Sequence, residues 1–489
     1  MIDDLPVLRM MSLKLLYPIR VDSWSMALSV LGCTLLSMQL SFGESRLPAK
    51  DQQLARDIFH ELIEIKTTHD IGTTKAAETM AGRLKAAGFP DADVQVLGPV
   101  PEKGNLVARI HGTGKMKPIL FIAHLDVVEA KREDWTYDPF KFTEHEGYFY
   151  GRGTSDIKCE VADLVENFIR LKQEGFKPDR DFILALTADE ESGGKHNGVD
   201  WLLKNHRAMV DADFCINTDA GGGEIKNGKR TANPVQTAEK VYLSFQLEVK
   251  NKGGHSSQPI KDNAIYHLAE GLSRLAKFDF PVKVNETSRA YFSRMSEIEK
   301  GDLAADMKAV SRQPPDVGAA ARLCSTLPYY NALLRTTAVA TQLSGGHAEN
   351  ALPQTAKAIV NCRILPEDSP DEIEATIKRV LADDQIKVSR VEPPIPSPSS
   401  PVDPKVFGPV EQITKEMWPG VIVFPVMSTG ASDGIFFRRD GIRVYGVSGM
   451  FTDVEDVRAH GQNERMGVDS FYDGVEFMHR LMKVFATSD

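Results

Sequence analysis

The sequence predicts an α/β protein with a mostly parallel central sheet flanked by helices, into which a smaller α+β domain is inserted. Uninterrupted apolar runs at Ile119–Ala123 and Phe182–Thr187 are typical of strands buried on both faces, as in a parallel sheet. From Val241 to Val249, apolar and polar residues alternate instead, which indicates an antiparallel sheet covered on one side only. This change of pattern places the start of the second domain near Ala238.

The first part of the larger domain is predicted as alternating helices and strands. A helix from Asp51 carries one apolar face, and a second helix over 74–87 is closed by Gly88, a common residue after helix ends. The remaining predicted elements are the strands Leu106–Ile110 and Ile119–Ala123, a helix with an apolar stripe from Val161 to Leu171, and the strands Phe182–Thr187 and Phe214–Asn217. Such alternation is typical of a parallel sheet covered by helices.

The segment after Ala238 carries its own helix and strand signals before the α/β pattern returns. Ala356–Ile364 is predicted as a strand, and Ser369–Glu372 as the capped start of a helix. Proline and serine crowd residues 391–404, which indicates a linker. The elements predicted beyond it are the strands Val421–Val426 and Ile442–Val447 and a final helix over Ser470–Phe485. The smaller domain is therefore predicted to be an insertion.

Composition excludes some classes of protein. The chain has 489 residues, which is too long for one compact domain, so at least two are expected. Its formal net charge is -10 and it has no basic cluster, which argues against nucleic acid as a partner. Five cysteines occur without a CxxC spacing or a dense pattern, so they predict no disulfide framework and do not decide the compartment.

The amino terminus resembles a secretory signal. Trp24–Phe42 is mostly apolar, basic residues precede it, and small residues follow, so cleavage after Gly43 is expected. The basic leader is long, and the chain could instead start at Met10, Met11 or Met26. A retained membrane anchor is the competing interpretation, although the stretch is barely long enough to cross a bilayer. A cleaved signal implies a periplasmic or secreted protein with no stable membrane partner.

Histidine and carboxylate side chains follow the predicted strands. His124 and Asp126 come directly after a buried strand and point the same way, because side chains alternate along a strand. The strand ends and loops of the larger domain also carry Asp156, Glu190, Glu191, Asp219 and His460. Taken singly, each acid is better explained as a solvated surface carboxylate. Together they form the nitrogen and oxygen donor set of a hydrolytic site with two zinc ions, which needs about five protein ligands when one carboxylate bridges.

An ordered series of motifs resembles a known family. The motifs are HLD at 124–126, GRGTSD at 151–156, TADEESGG at 187–194, NTDAGGG at 217–223, GGHSSQP at 253–259 and HGQNE at 460–464. The series is similar to that of the di-zinc metallopeptidases and amidohydrolases, which include glutamate carboxypeptidase, acetylornithine deacetylase, succinyl-diaminopimelate desuccinylase and aminoacylase. The resemblance covers the chain from about residue 50 to the end. An enlarged lid makes it most similar to the carboxypeptidase S and glycine-X carboxypeptidase branch.

The resemblance implies a role for each member of the cluster. The implied ligands of one zinc ion are His124, Asp156 and Asp219, and those of the other are Asp156, Glu191 and His460. Asp156 would bridge the two ions, and Asp126 would orient His124. Glu190 would be the general base, so that hydrolysis runs through a zinc-bridging hydroxide.

The inserted domain resembles the lid or dimerisation domain of this family. By that resemblance His255, in GGHSSQP, would stabilise the oxyanion, often from the neighbouring subunit. Asn350 and Arg363 match substrate-binding positions, with Arg363 on a substrate carboxylate, and Gly430 would line the pocket. The extra helical segment at about 286–341 could cover the edge used for dimerisation or supply in cis what a partner otherwise supplies. A homodimer through the lid therefore stays one of two alternatives.

These inferences combine into one predicted organisation. The predicted parts are a signal peptide over 1–43, a catalytic domain over 44–237 and 394–489, and the inserted lid over 238–393. The expected function is that of a zinc-dependent metallopeptidase, carboxypeptidase-like, which cleaves an amide bond beside a free carboxylate in small peptides or N-acyl amino acids. The alternatives are an N-acyl amino acid deacylase or aminopeptidase of the same family, or a non-catalytic peptide-binding protein.

Overall fold

Helices and strands alternate along most of the described chain. The computed structural model describes residues 47–192 and 195–487, so the predicted signal peptide lies outside the described residues. Within these ranges, none of the helices combines the length and apolar character needed to cross a membrane. The α-helices are α1 (Ala49–Glu64), α2 (Thr74–Ala86), α3 (Lys158–Gln173), α4 (Gly198–Asn205), α5 (Arg207–Val210), α6 (Ala264–Leu275), α7 (Glu286–Met295), α8 (Gly301–Val310), α9 (Val317–Thr326), α10 (Pro328–Leu334), α11 (Pro370–Leu381), α12 (Pro404–Met417), α13 (Gly434–Arg439) and α14 (Val468–Phe485).

The strands form one large sheet and several smaller ones. In chain order they are β1 (Val94–Leu97), β2 (Asn105–Ile110), β3 (Ile119–His124), β4 (Thr143–His145), β5 (Tyr148–Tyr150), β6 (Phe182–Thr187), β7 (Phe214–Asn217), β8 (Gly223–Lys226), β9 (Lys229–Ala232), β10 (Val235–Glu239), β11 (Val241–Lys250), β12 (Gly254–His255), β13 (Thr337–Gly345), β14 (Ala351–Leu352), β15 (Thr355–Ile364), β16 (Lys387–Arg390), β17 (Pro425–Ser428), β18 (Arg443–Gly446), β19 (Phe451–Asp453) and β20 (Arg465–Gly467).

The central sheet has the strand order β1-β2-β6-β3-β7-β18-β10-β17. Its four middle strands, β6, β3, β7 and β18, run parallel to one another, and β10 and β17 form a further parallel pair. Helices cover both faces: Phe121 of β3 packs in the core that contains α3, whereas Ile122 packs in the core that contains α4. Because both faces are buried, β3 is apolar up to His124. The predicted mostly parallel sheet flanked by helices is confirmed.

The ends of the predicted elements named above agree with the observed ones to within three residues, apart from one strand. The strand predicted at Val421–Val426 is observed as β17, which begins at Pro425. A proline has no backbone N–H for a sheet partner and is therefore common at the first residue of a strand. Residues 422 and 424 still accept single backbone hydrogen bonds from Asn233 and Val235, so this stretch runs alongside the sheet without joining it as a strand.

A second, antiparallel sheet follows β10 and has the order β13-β15-β11-β16. The five apolar residues that alternate along β11, from Val241 to Val249, are buried in a core shared with α6 and α11. The helix α11 begins as predicted, with the Ser369 side chain accepting a hydrogen bond from the backbone of Glu372. One face of this sheet is thus covered by helices, as the alternation predicted, and the α+β character of the inserted part is confirmed.

The predicted extra helical segment corresponds to the helices α7 to α10, between Glu286 and Leu334. These helices share a core with Phe424 and Met427, which lie at the β17 edge of the central sheet. They leave the edge strand β13 uncovered, since Val339 and Leu343 on it are 58% and 71% exposed. The chain passes from the central sheet to the second sheet between β10 and β11, and the domain boundaries stay predictions.

Candidate metal centre

His124 and Asp126 lie where β3 leaves the central sheet. The two residues are each only 2% exposed. The Nδ1 atom of His124 lies 2.9 Å from the backbone oxygen of Asp126. A carbonyl oxygen can only accept, so this contact places a proton on Nδ1 and leaves Nε2 as the ring nitrogen that faces the acid cluster. The ring is thereby prepared to donate Nε2 to a cation.

Two groups of three donors meet at one carboxylate. The Nε2 atom of His124 lies 3.2 Å from Oδ1 of Asp156 and 3.8 Å from Oδ1 of Asp219. On the other side, Oδ2 of Asp156 lies 3.1 Å from Nε2 of His460, which in turn lies 2.9 Å from the Glu191 carboxylate. In each group, one donor atom per residue lies within 4.8 Å of the others. The fold thus brings together the five residues predicted as ligands, with Asp156 common to both groups.

A buried glutamate connects the loop of Asp156 with the loop of His460. The carboxylate of Glu464 accepts hydrogen bonds from the backbone N–H groups of Ser155 at 2.7 Å and Asp156 at 3.0 Å. It also accepts from the guanidinium of Arg152 at 2.6 Å, and Glu464 is fully buried. Removing one partner of such a buried ion pair costs about 3–5 kcal/mol. Because Glu464 is only four residues from His460, one side chain sets the spacing of two predicted ligands.

The side chain of Asp126 holds the turn that carries Glu190 and Glu191. Its carboxylate accepts the backbone N–H of Glu190 at 3.2 Å and that of Glu191 at 3.1 Å. Its nearest carboxylate contact with His124 is 3.8 Å, so the expected orientation of His124 depends on the Asp126 carbonyl. Asp126 is therefore positioned to fix both the histidine and the two glutamates.

The residue before Glu190 adopts an uncommon backbone conformation. Asp189 has a φ of 64°, in the left-handed region that non-glycine residues seldom occupy. Its carboxylate accepts from the Nζ of Lys103 at 2.5 Å and contacts the Nδ1 of His69 at 3.0 Å. Strained backbone persists only where surrounding contacts hold it. The contacts with Lys103 and His69 hold Asp189 in this conformation, directly before Glu190 in the chain.

The turn after β17 adds another buried acid beside the cluster. Asp433 accepts hydrogen bonds from Oγ1 of Thr187 at 2.7 Å and from Nδ2 of Asn197 at 2.6 Å. Burial raises the pKa of Asp433 to about 6. Since Thr187 ends the strand that precedes Glu190, Asp433 links the turn after β17 to the loop that carries the glutamates.

The charge balance of the cluster fits a divalent cation. Burial raises the pKa of Glu190, Glu191 and Asp219 from the ordinary value of a carboxyl group. The hydrogen bond to Asp156 raises the pKa of His460 to about 9. Both effects indicate that desolvated negative charge in the cluster needs positive charge close by. Imidazole nitrogens and carboxylate oxygens are the donors by which proteins hold zinc and related ions.

A cavity of about 490 Å³ opens onto this cluster. The acid and histidine side chains along it are Asp156, Glu190, Glu191, Asp219, Glu224 and His460. Glu190 differs from most of these because it belongs to neither group of three donors. Glu190 therefore lies along the cavity beside the donor groups without belonging to either of them.

Besides His124 and Asp126, which lie behind the cluster, four predicted site residues do not line this cavity. His255 is exposed on β12, where it pairs with β14 close to the exposed Asn350. The guanidinium of Arg363 lies 4.7 Å from the centre of the Tyr242 ring on the second sheet. Gly430 belongs to the turn after β17, and its neighbours line the cavity whereas Gly430 does not. The structure as described brings none of these four into contact with the acid cluster.

Glu464, Asp433 and Tyr329 are among the residues at the site that were not predicted from sequence. Glu464 ends the motif HGQNE, and Asp433 ends the stretch STGASD at 428–433, which contains the predicted Gly430, so these two stretches held the signal that could have found them. Tyr329 lines the cavity from α10, and no motif contains it. Its place depends on how the added helices pack, which local sequence does not reveal.

A donor cluster with a shared aspartate, at the edge of a mostly parallel sheet, defines a metallohydrolase. Residues 120–484 match the family described as Peptidase family M20/M25/M40. The chain belongs to this family, and it is a hydrolase of the metallopeptidase class. The resemblance found in the motif series is thereby confirmed.

Comparison with individual relatives supports the same family. The chain is 30% identical over 378 residues to "Probable carboxypeptidase S-like 2" of Dictyostelium discoideum, an alignment that covers 75% of this chain and 72% of that protein. It is also 30% identical over 381 residues to "N-fatty-acyl-amino acid synthase/hydrolase PM20D1" of Homo sapiens, covering 75% and 74% respectively. A metallo-carboxypeptidase structure from Sulfolobus solfataricus shares the fold, with a TM-score of 0.66 and 19% identity, over 88% of this chain and 99% of that one.

Proposed function

We propose that the protein is a di-zinc exopeptidase of the carboxypeptidase type, which hydrolyses the amide bond beside a free carboxylate in small peptides or N-acyl amino acids. The observation that supports this most is the pair of donor groups that share Asp156 beside a cavity. A carboxylate common to two groups suits two cations held close together, as in two-metal hydrolytic sites.

Each group of donors would hold one zinc ion. The first consists of His124, Asp156 and Asp219, and the second of Asp156, Glu191 and His460. When bound, the two ions lower the pKa of a water molecule and polarise the scissile carbonyl. The chain contributes the orientation of these ligands, through the hydrogen bonds that Asp126 and Glu464 make.

Glu190 is the general base in this proposal. Its carboxylate lines the cavity beside both donor groups, and burial raises its pKa. A raised pKa makes a carboxylate a better proton acceptor near neutral pH. Glu190 takes a proton from the attacking water and delivers it to the leaving nitrogen. Asp126 and Asp189 hold the turn that aims this side chain.

The inserted domain supplies the groups that recognise substrate. Arg363 binds the substrate carboxylate through two parallel N–H donors, and Asn350 assists it. His255 donates a hydrogen bond to the oxyanion that forms when water attacks the carbonyl. Because these side chains lie outside the cavity, they reach a metal centre from another copy of the chain.

A homodimer through the edge strand β13 would provide that second copy. This strand ends the second sheet, and Val339 and Leu343 on it are 58% and 71% exposed. An uncovered apolar edge strand presents free N–H and C=O groups that pair readily with an identical strand. The added helices α7 to α10 leave this edge open, which favours the dimer over the alternative in which they cover it.

Subunit mixing tests the donation of His255 by the partner. We expect Glu190→Gln and His255→Ala proteins to be nearly inactive alone but to regain about one quarter of wild-type hydrolysis after exchange of subunits in equal amounts. Half of the dimers are then mixed, and each of these has one site with an intact Glu190 and an intact partner histidine. Absence of any recovery, with exchange verified by mass spectrometry, would show that His255 does not act across subunits.

One observation favours a second candidate, an aminopeptidase of the same family. Glu224 lines the cavity, and its carboxyl group could bind the free amine of a peptide. Paired blocked dipeptides separate the two functions. We expect N-acetylated dipeptides to be hydrolysed and C-amidated dipeptides to be spared, because Arg363 needs a free carboxylate; the opposite preference would favour the aminopeptidase.

The same panel addresses the non-catalytic alternative. Zinc-loaded wild-type protein that binds dipeptides and N-acyl amino acids without cleaving any of them would be a peptide-binding protein. Turnover of any member excludes that function. The complete set of donors together with Glu190 supports an enzyme.

A further inference from the structure

The cavity extends along one edge of the central sheet, away from the acid cluster. Strand register places Asn217, Gly446, Gln236 and Val426 side by side on β7, β18, β10 and β17. Three spacings of about 4.8 Å put Val426 roughly 14 Å from β7, the strand that leads to Asp219. Both Gln236 and Val426 line the cavity. An extended amino-acid residue spans at most about 3.6 Å, so the cavity has room beyond the residue at the scissile bond.

The cavity is lined by both polar and apolar side chains. The larger apolar side chains along it are those of Pro234, Val426, Met427 and Tyr329, and the acidic side chain of Glu224 also lines it. Of these, Tyr329 is the one contributed by the added helices, from the first turn of α10, and it is 39% exposed. This part of the cavity wall is therefore formed jointly by β17 and by the extra helical segment of the inserted domain, Glu286 to Leu334.

The ring of Tyr329 is fixed by a chain of aromatic contacts. Its centre lies 6.1 Å from that of Tyr291 on α7, in an edge-to-face arrangement. The Tyr291 ring in turn lies 5.6 Å from Phe424, the residue before β17, also edge to face. Such pairs hold their rings in defined orientations. Tyr329 is thus a rigid wall rather than a mobile surface side chain.

We propose that Tyr329 is a specificity-determining residue, which limits the length of the apolar group that a substrate carries on the acyl side of the scissile amide. The proposal rests on the proposed function. Arg363 takes the carboxylate side of the substrate from outside the cavity, so the cavity receives the acyl side. An acyl chain that runs along the row from Asn217 to Val426 meets the Tyr329 ring at its end.

Removing the ring should therefore change selectivity and not general activity. The test compares kcat/KM for a series of N-acyl derivatives of one amino acid, from acetyl to dodecanoyl, on zinc-loaded protein. We expect Tyr329→Ala to raise the ratio of long-chain to acetyl substrate at least about tenfold, since a few methylenes in an apolar pocket are worth that much. Tyr329→Phe should keep the wild-type ratio, because the wall is the ring and not the hydroxyl.

A matched control is Tyr266→Ala, which removes a tyrosine that is 57% exposed on α6 and does not line the cavity. This variant should keep the wild-type ratio. A Tyr329→Ala protein that retains its zinc and loses activity equally for every chain length would overturn the proposal. The proposal would also be overturned if Tyr266→Ala raised the ratio of long-chain to acetyl substrate as much as Tyr329→Ala does.

Binding separates this proposal from the proposed function. Calorimetry on Glu190→Gln protein, with and without Tyr329→Ala, measures affinity for the same series without turnover. If wild type binds the series but cleaves none of it, the proposed function fails, and the shift in the affinity ratio still decides the role of Tyr329. If wild type cleaves the series but the ratio does not shift, the role of Tyr329 fails and the proposed function stands.

Discussion

Replacing Glu190 by glutamine should lower the rate of hydrolysis by a factor of about 10²–10⁴ and leave the zinc content unchanged. Glutamine keeps the size of the side chain but cannot accept the proton of the attacking water. Glu190 belongs to neither donor group, so the ligands of both ions remain. The measurement is kcat on an N-acetylated dipeptide together with metal content by plasma mass spectrometry.

The control for this variant is Glu78→Gln, on the exposed surface of α2. It makes the same chemical change far from the cavity, and it should retain both activity and metal. Loss of zinc from the Glu190→Gln protein would instead show that Glu190 is a ligand. Unchanged hydrolysis with full zinc would show that another group is the base.

Replacing Asp156 by asparagine should have a larger effect, because both donor groups lose their shared ligand. We expect zinc content to fall from two ions per chain to less than one, and hydrolysis to fall below detection. Asparagine is neutral and offers one oxygen, whereas the carboxylate presents Oδ1 to His124 and Oδ2 to His460. Zinc titration followed by calorimetry measures the loss directly, without reference to activity.

Asp219→Asn is the informative comparison, since Asp219 belongs to only one of the two groups. This variant should retain one zinc ion of nearly wild-type affinity, held by the group that contains Glu191 and His460. Equal zinc loss in the two variants would contradict a bridging role for Asp156. Thermal unfolding of the metal-free proteins should be similar, which separates ligand loss from misfolding.

Local patterns were sufficient to predict the core of the fold. The apolar run at Ile119–Ala123 predicted β3 because a strand covered on both faces has no exposed position for a polar residue. The alternation from Val241 to Val249 predicted β11 because one face of this strand is less covered than the other, so polar residues are tolerated at every second position. In each case the information lies within about ten neighbouring residues, where side-chain direction follows directly from the backbone.

The membership of the donor cluster was predictable for a related reason. His124 and Asp219 follow parallel strands of one sheet, and the carboxyl ends of such strands lie at the same edge. Asp156 and His460 have no such strand relation, and only the resemblance of the motif series placed them with the others. The hydrogen bonds of Glu464 are the physical reason that these two loops meet.

The sequence alone therefore determined most core strands of the two larger sheets, their covered faces and the candidate donor residues, because each of these follows from periodicity or from an ordered motif. The tertiary structure decided which buried acids support the donors, that His255 and Arg363 lie outside the cavity, and that Tyr329 lines it. These features depend on contacts between segments tens to hundreds of residues apart. Such contacts depend on how whole helices and sheets pack against one another. The residues that make them therefore show no periodic pattern in the sequence.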